Sequence, residues 1–366
     1  MDVDLDKHGT WLGRVWVDDI GPCVVTLRDG VLTDITSRTA PTVRDVLEQD
    51  DPTSYVLTAP GKAIGAGARL LAPCDLQAVK ACGVTFAKSM VERVIEERAG
   101  GDPAKAEAIR ARVMGAIGDT LADIVPGSEA AEAAKSALIA EGMWSQYLEV
   151  GIGPYAEVFS KAQVMSSVGT GADIGILDIS QWNNPEPEIV LAVNSRGQIC
   201  GATLGNDVNL RDVEGRSALL LSKAKDNNAS CAIGPMIRLF DDRYGLDDVR
   251  RAELTLIVKG EDGFTLNGFS SMAEISRDPD DLVAQTIGAN HQYPDGFVLF
   301  LGTLFAPTED RDVPGEGFTH KIGDRVRIEA PGLGALENTV KHCHNCPPWT
   351  FGAGALMRNL AGRGLL

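Results

Sequence analysis

The chain has 366 residues, 44% of them hydrophobic and 23% charged, which fits a globular protein with room for two domains and argues against disorder. Lys and Arg number 34 against 51 Asp and Glu, a net charge of −17, so no nucleic-acid or anionic-membrane partner is expected. An anionic substrate would need a local positive centre, either a bound cation or a few buried Lys and Arg.

The first ~75 residues read as a small β-rich domain, with the boundary placed between Leu70 and Lys80, where composition shifts. Trp11 to Val17 alternates apolar and polar side chains, as a half-buried strand does. Pro22 to Leu27 and Gly30 to Ile35 continue in short runs, and Arg28-Asp29-Gly30 signals a hairpin turn. Thr42 then caps a short helix over Val43 to Glu48. From Ala87 to about residue 147 the pattern is helical. Lys88 to Arg98 is stopped by Gly100-Gly101-Asp102-Pro103, Lys105 to Ile124 follows, and Ser128-Glu129 opens a third helix running to about Trp144. This block is either a surface helical hairpin or a lid over a site.

From Glu157 to about Pro331 the chain is strand-rich. Glu188 to Asn194, Gln198 to Asn206, Ala252 to Val258, Gly296 to Leu301 and Arg325 to Ala330 read as strands, with one helix at Asp280 to Gly288. The class is mixed α+β, dominated by sheet. No window reaches the ~20 apolar residues of a membrane helix. The acidic start MDVDLDKHGTW lacks the basic and apolar regions of a signal peptide, and seven scattered Cys read as reduced, so the expected location is cytoplasmic.

The strongest local feature is Pro185-Glu186-Pro187-Glu188, leading into the apolar run Ile189 to Val193. Residues two apart on a strand share a face, so Glu186 and Glu188 project together, and two like charges side by side call for a cation or a shared proton. A turn at Ser195-Arg196-Gly197 and a return strand ending in Asn206-Asp207 would bring Asp207 to the level of Glu188. Three converging carboxylates suit Mg²⁺, Mn²⁺ or Ca²⁺. On spacing alone, an exposed acidic pair and a turn Asp remain the alternative.

The succession Glu186-x-Glu188, Asn206-Asp207, Arg211-Asp212-x-Glu214-Gly215, Ala224-Lys225 and Ser230-Cys231-Ala232-Ile233-Gly234-Pro235 resembles the fumarylacetoacetate hydrolase superfamily. Its detail is closest to that family's 2-keto-3-deoxy-pentonate dehydratases, which act on acids derived from xylonate or arabinonate. Asn290-His291 and Gly302-Thr303 resemble the family's later motifs, and the resemblance covers about Ala81 to Pro331. It implies a fumarylacetoacetate hydrolase-like catalytic domain over 76–340 with a helical lid at about 87–147. The small N-terminal domain precedes it and a C-terminal tail at 341–366 follows. It implies Glu186, Glu188 and Asp207 as metal ligands, Mg²⁺ first among the candidates, with Lys225 and Glu157 as catalytic groups. Thr303 would contact the substrate carboxylate. Arg211 would pair with a carboxylate or the substrate, a structural ion pair being the alternative. Such proteins generally form homo-oligomers, dimers or tetramers.

Two departures bear on the reaction. The hydrolases of this superfamily activate water with a His, which in one branch lies seven residues after the position of Glu157; Val164 stands there. In another branch the His opens the lid helix ahead of a Glu; Glu92 is kept, and Ser89 takes the place of the His. Ser89, Glu92 and His291 are therefore expected around the substrate, with His291 the remaining imidazole. Loss of the poised base tilts the expectation from hydrolysis to elimination. The expected activity is a Mg²⁺-dependent dehydratase (a hydro-lyase) taking a small 2-keto-3-deoxy sugar acid to 2-ketoglutarate semialdehyde in pentose catabolism. The alternative is a metal-dependent C–C hydrolase of a 2,4-diketo acid. A rival site, His342-Cys343-His344-Asn345-Cys346, crowds four Zn²⁺-type ligands into five residues, poor tetrahedral geometry. Pro347-Pro348-Trp349 after it reads as a docking segment.

Overall fold

The computed structural model describes residues 5–366 except 66, 108, 111–123, 141, 143, 304, 306 and 308. In its N-terminal half the strands are β1 (Trp11–Val17), β2 (Gly21–Arg28), β3 (Val31–Asp34), β4 (Lys62–Ala63), β5 (Arg69–Leu71), β6 (Ala78–Gly83), β7 (Glu157–Ala162) and β8 (Asp173–Ile176). They continue as β9 (Pro187–Val193), β10 (Ile199–Asp207), β11 (Cys231–Leu239), β12 (Glu253–Lys259), β13 (Thr265–Ser271), β14 (Phe297–Phe300), β15 (Arg325–Ala330) and β16 (Gly334–His342).

The hairpin signal at Asp29-Gly30 is realised: both residues have positive φ (51° and 78°), and β2 pairs antiparallel with β3 across them. Thr42 caps the helix Val43–Leu47, its side chain accepting from the Asp45 amide. The sequence reading missed a helix at Pro52–Thr58, capped by Asp51 with Pro at its first turn. The helix Ala87–Ala99 ends where expected, with Gly100 left-handed at φ 63°. The helix expected to run to about Trp144 spans Glu129–Ala140, and a further helix that the sequence reading missed, Gln146–Ile152, follows it, capped by Ser145 accepting from the Tyr147 amide. Most of the helix expected at Lys105 to Ile124 lies outside the described residues.

Ten strands form one path, β4-β3-β2-β1-β11-β10-β9-β14-β6-β7, with β5 added alongside β1. The join between N-terminal strands and the rest is direct: Trp11 pairs with Arg238 and Leu12 with Ile237. A second sheet runs β13-β12-β15-β16-β8. Ile189, Leu191 and Val193 of β9 cluster with Leu254, Leu256, Val258 and Ile328 of the second sheet, nearly all shut from solvent. Burial of each such side chain stabilises the fold by about 1.5–3 kcal/mol. Because β9 is buried on both faces, its run Ile189–Val193 is continuously apolar rather than alternating.

Glu188 and Val190 of β9, with Glu186 just ahead of it, have the other parity, on the face away from the second sheet, where Val190 packs with Phe300, Ile233 and Ala81. β9 is antiparallel to β10 and β14, β14 is parallel to β6, and β6 is antiparallel to β7. The start of β9, the end of β10, the end of β14, the end of β6 and the start of β7 therefore meet at one edge of the sheet. The C-terminal segment packs on the body of the molecule: Asn228 donates to the Pro347 carbonyl, Phe351 sits edge-on to Trp16, and Asn359 donates to the Ile20 carbonyl. No helix among the described residues is long and apolar enough to cross a membrane.

Candidate active site and metal centre

The edge where those strands meet holds the three carboxylates. Pairing of Glu188 with Gly205 and of Pro187 with Asn206 puts Asp207 across from Glu186, two residues away from the level expected from the sequence. The Asp207 amide donates to the Glu186 carbonyl at 3.0 Å, and Asn206 locks the strand entrance by accepting from the Glu186 amide at 3.1 Å. Glu186, Glu188 and Asp207 are all buried, and each offers a carboxylate oxygen within 4.8 Å of the others.

Three buried negative charges this close need compensation. Lys225, at the end of the helix Leu221–Lys225, bridges two of them, with Nζ 2.5 Å from Glu186 and 3.0 Å from Asp207. Lys161, fully buried on β7, reaches Asp207 at 2.8 Å. Arg93, on the helix Ala87–Ala99, reaches Glu186 at 2.5 Å and also binds Glu96 at 2.7 Å and Glu214 at 2.8 Å. Burial pushes Asp207 upward, yet the Lys161 and Lys225 ammonium groups outweigh it and hold the carboxyl below its usual range. Burial also disfavours the Lys225 ammonium, but Asp207, Glu186 and Glu214 hold it charged well above the ordinary lysine range.

Glu188 is treated differently. It accepts the Gly302 amide at 2.7 Å but forms no ion pair among the described residues. Burial first, and then Asp207 and Glu186, push its carboxyl well above the usual range. A hard-oxygen donor set with one uncompensated member fits a divalent cation of the Mg²⁺ or Ca²⁺ type, which would ionise Glu188 and offset the crowding.

Glu157 opens β7 at the same edge, with Phe159 and Lys161 on the same face of the strand. Burial, and next Glu214, push its carboxyl up to about 7. The sign for stability follows. The folded value lies above the unfolded one, near 4.5, so ionisation opposes folding, and stability falls as pH rises from about 4.5 to about 7. Each pH unit in that window weighs at most ~1.4 kcal/mol. Glu157→Gln should therefore gain stability over the wild type at pH 8 and much less at pH 5. Thermal unfolding in chelator at the two pH values measures the difference; an equal effect at both would mean that Glu157 is not the titrating group.

A small cavity collects Glu157, the three carboxylates, Lys225, Ser89 and Thr303, together with Arg93, Glu214 and Gly302. A neighbouring one, sharing Ser89, Arg93, Glu186 and Thr303, adds Glu92 and Arg211. Ser89 donates to the Phe86 carbonyl and Thr303 accepts from the Phe305 amide, so both hydroxyls are locally fixed. Glu92 is engaged by Arg110, at 2.7 Å. Arg211 is spent structurally: it binds Glu96 at 2.7 Å, donates to the Pro307 carbonyl, and lies 4.0 Å above the Trp182 ring. His291 is not brought to the site; it is exposed and packs edge-on against Tyr293. At the rival site, His342 and His344 stack on each other and the two thiols stay free, while Glu186, Glu188 and Asp207 are the one converging ligand set among the described residues.

The sequence reading missed Arg93, Lys161 and Glu214. A signal existed for Arg93, one helical turn after Ser89 and so on the same face. Lys161 lies two positions from Phe159 and four from Glu157, on one strand face.

Against known proteins, residues 157–341 match the fumarylacetoacetate (FAA) hydrolase C-terminal family. A Haloferax volcanii protein described as a probable 2-keto-3-deoxyxylonate dehydratase is 31% identical over 198 residues, 54% of this chain and 64% of its own length. A 2-dehydro-3-deoxy-D-arabinonate dehydratase of Saccharolobus solfataricus is 31% identical over 188 residues, 50% of this chain and 58% of its own. The chain thus spans less than two thirds of either relative. Among solved structures, a 2-keto-3-deoxy-D-arabinonate dehydratase complexed with magnesium and 2,5-dioxopentanoate shares the fold at a TM-score of 0.63 and 21% identity, over 91% of this chain and 99% of that one.

Proposed function

Because the chain belongs to the fumarylacetoacetate hydrolase family, we propose that it is a divalent-metal-dependent hydro-lyase that dehydrates a 2-keto-3-deoxy sugar acid. One observation carries the reading: Glu157, with a carboxyl near neutrality, shares the cavity with the carboxylate triad, and no histidine is among the described residues that line it. Elimination needs a group that can both take and give a proton at neutral pH, which such a carboxyl does. Hydrolysis of a C–C bond needs a base for water, and His291 is remote from the cavity. The two 31% identical relatives, both named as dehydratases of pentose-derived acids, support the same choice.

Glu186, Glu188 and Asp207 would hold the cation, Mg²⁺ being the first candidate. When bound, it supplies Lewis-acid polarisation of the substrate's 2-keto group, which acidifies the carbon-3 protons. Glu157 as carboxylate takes one of those protons. In its acid form it hands a proton to the 4-hydroxyl, which departs as water, so the substrate loses H from carbon 3 and OH from carbon 4. For a pentonate, tautomerisation of the product gives 2,5-dioxopentanoate, the compound named with the magnesium-bound neighbour. Lys225 stays an ammonium and orients an anionic oxygen of the substrate rather than acting as base. The helix Ala87–Ala99, with Ser89 and Arg93 turned to the cavity, serves as its roof.

The test is to chelate the purified protein, restore Mg²⁺, and follow semialdehyde from 2-keto-3-deoxy-D-xylonate and from its L-arabinonate counterpart. A 2,4-diketo acid runs in parallel, with Glu186→Ala as control. Semialdehyde that requires Mg²⁺ and disappears in the variant is expected. Cleavage of the diketo acid with no semialdehyde would move the protein to the hydrolases.

A further inference from the structure

The cavity's cations are already committed. Arg93 is the one arginine and Lys225 the one lysine among the described residues lining it. Arg93 is held by Glu186, Glu96 and Glu214 at 2.5–2.8 Å, and Lys225 by Glu186 and Asp207. Against them stand five lining carboxylates: Glu157, Glu186, Glu188, Asp207 and Glu214. Three of these are accounted for by a divalent cation, which also answers the carboxylate of the 2-keto acid. Glu157 and Glu214 remain, facing whatever the rest of the substrate brings.

A second carboxylate entering this space would be desolvated beside Glu157 and Glu214, with Arg93 held by carboxylates and Lys225 already turned to the metal ligands and the 2-keto acid end. A hydroxyl would instead donate to a carboxylate in a charge-assisted hydrogen bond. Resting on the dehydratase reading above, we infer that the site selects 2-keto acids with a neutral, hydroxylated tail against 2-keto dicarboxylates, and that Glu214 sets this choice by occupying the Arg93 guanidinium. Glu214 comes from the short helix Arg211–Glu214, directly after the Asp207 strand, and Arg93 from the roof helix. Their contact is therefore made only in the folded chain. Glu214 does two things at once: it removes the one planar, bidentate anion receptor in the cavity, and it adds a negative charge of its own.

Two five-carbon probes that cannot be dehydrated separate the effect from turnover: 2-oxovalerate, with an uncharged tail, and 2-oxoglutarate, with a second carboxylate. Their dissociation constants are measured by calorimetry on the Mg²⁺-loaded protein. The wild type should bind 2-oxovalerate about 10-fold or more tightly than 2-oxoglutarate. Glu214→Gln, which removes one of Arg93's three carboxylate partners and one negative charge from the cavity, should tighten 2-oxoglutarate about 10-fold while moving 2-oxovalerate by less than about threefold. Equal affinities in the wild type would overturn the inference even if the variant failed to fold, and so would an unchanged ratio in a folded variant; either result leaves the dehydratase reading to stand on its semialdehyde assay. If neither probe binds at millimolar concentration, the 2-keto acid reading falls together with the inference.

Discussion

Lys225→Met should hold a divalent cation at least as tightly as the wild type while turnover of the sugar acid falls about 10³-fold, within the range of a lost proton-transfer or orienting group. The two effects have opposite signs because Lys225 sits on the ligands themselves, 2.5 Å from Glu186 and 3.0 Å from Asp207. Its ammonium neutralises charge that the cation would otherwise meet, so its removal leaves the triad more negative. Glu186→Ala should lose both properties, since it deletes a ligand and strips Arg93 and Lys225 of a shared partner. Calorimetry with Mg²⁺ alone, beside the semialdehyde assay, tells the variants apart. Loss of cation affinity in Lys225→Met comparable to that in Glu186→Ala would mean that the lysine organises the ligands, and that its assignment to the substrate is mistaken.

The parts of this site legible in the sequence are those fixed by local periodicity. Glu186 and Glu188 share a face because strand side chains alternate, and the short turn at Ser195 to Gly197 returns Asp207 to the same edge. The expected level was off by two residues because pairing across the turn starts at Val193 with Ile199, and the one-residue irregularity between Ile199 and Gly201 moves Asp207 only part of the way back towards Glu188, leaving it opposite Glu186. β11 was not recognised as a strand: it is buried throughout, its residues do not alternate apolar and polar, and Gly234-Pro235 interrupts it and reads as a break. Arg93, Lys161 and Glu214 were missed for a different reason. Each is charged, and a charge in a helix or edge strand is ordinarily solvated. Their burial exists only once segments 46 to 93 residues apart are brought together, as in the Lys161–Asp207 and Arg93–Glu186 pairs. Arg211 illustrates the converse. Its motif position left a contact with substrate and a structural ion pair both open; the Trp182 ring and Glu96, both distant in sequence, take up its guanidinium.

Lys161→Met should destabilise the metal-free protein by about 3–5 kcal/mol, the usual cost of removing one partner from a buried ion pair. The side chain is fully shut from solvent, and its ammonium faces Asp207 at 2.8 Å while donating to the Lys225 carbonyl at 2.5 Å and the Val208 carbonyl at 3.3 Å. Methionine is of similar length and apolar, so little of the loss arises from an empty space. What remains is Asp207 with only Lys225 to answer it, and the Val208 carbonyl without this donor, while the Lys225 carbonyl keeps the Ser230 hydroxyl. The pH dependence identifies the cause. Asp207 is held below its ordinary value mainly by Lys161, against the upward pull of burial, so its ionised form stabilises the wild type above about pH 4 and that contribution is lost as pH falls through the depressed value. The deficit of Lys161→Met should accordingly be largest near pH 7 and shrink towards pH 4, where Asp207 in the variant takes up a proton. Mg²⁺ should recover part of the loss at pH 7, because a cation held by Glu186, Glu188 and Asp207 replaces the missing charge. Denaturant unfolding at pH 7 and pH 4, with and without Mg²⁺, measures all of this. A deficit independent of pH and of Mg²⁺ would assign the cost to the lost carbonyl hydrogen bonds and leave Asp207 indifferent to its lysine.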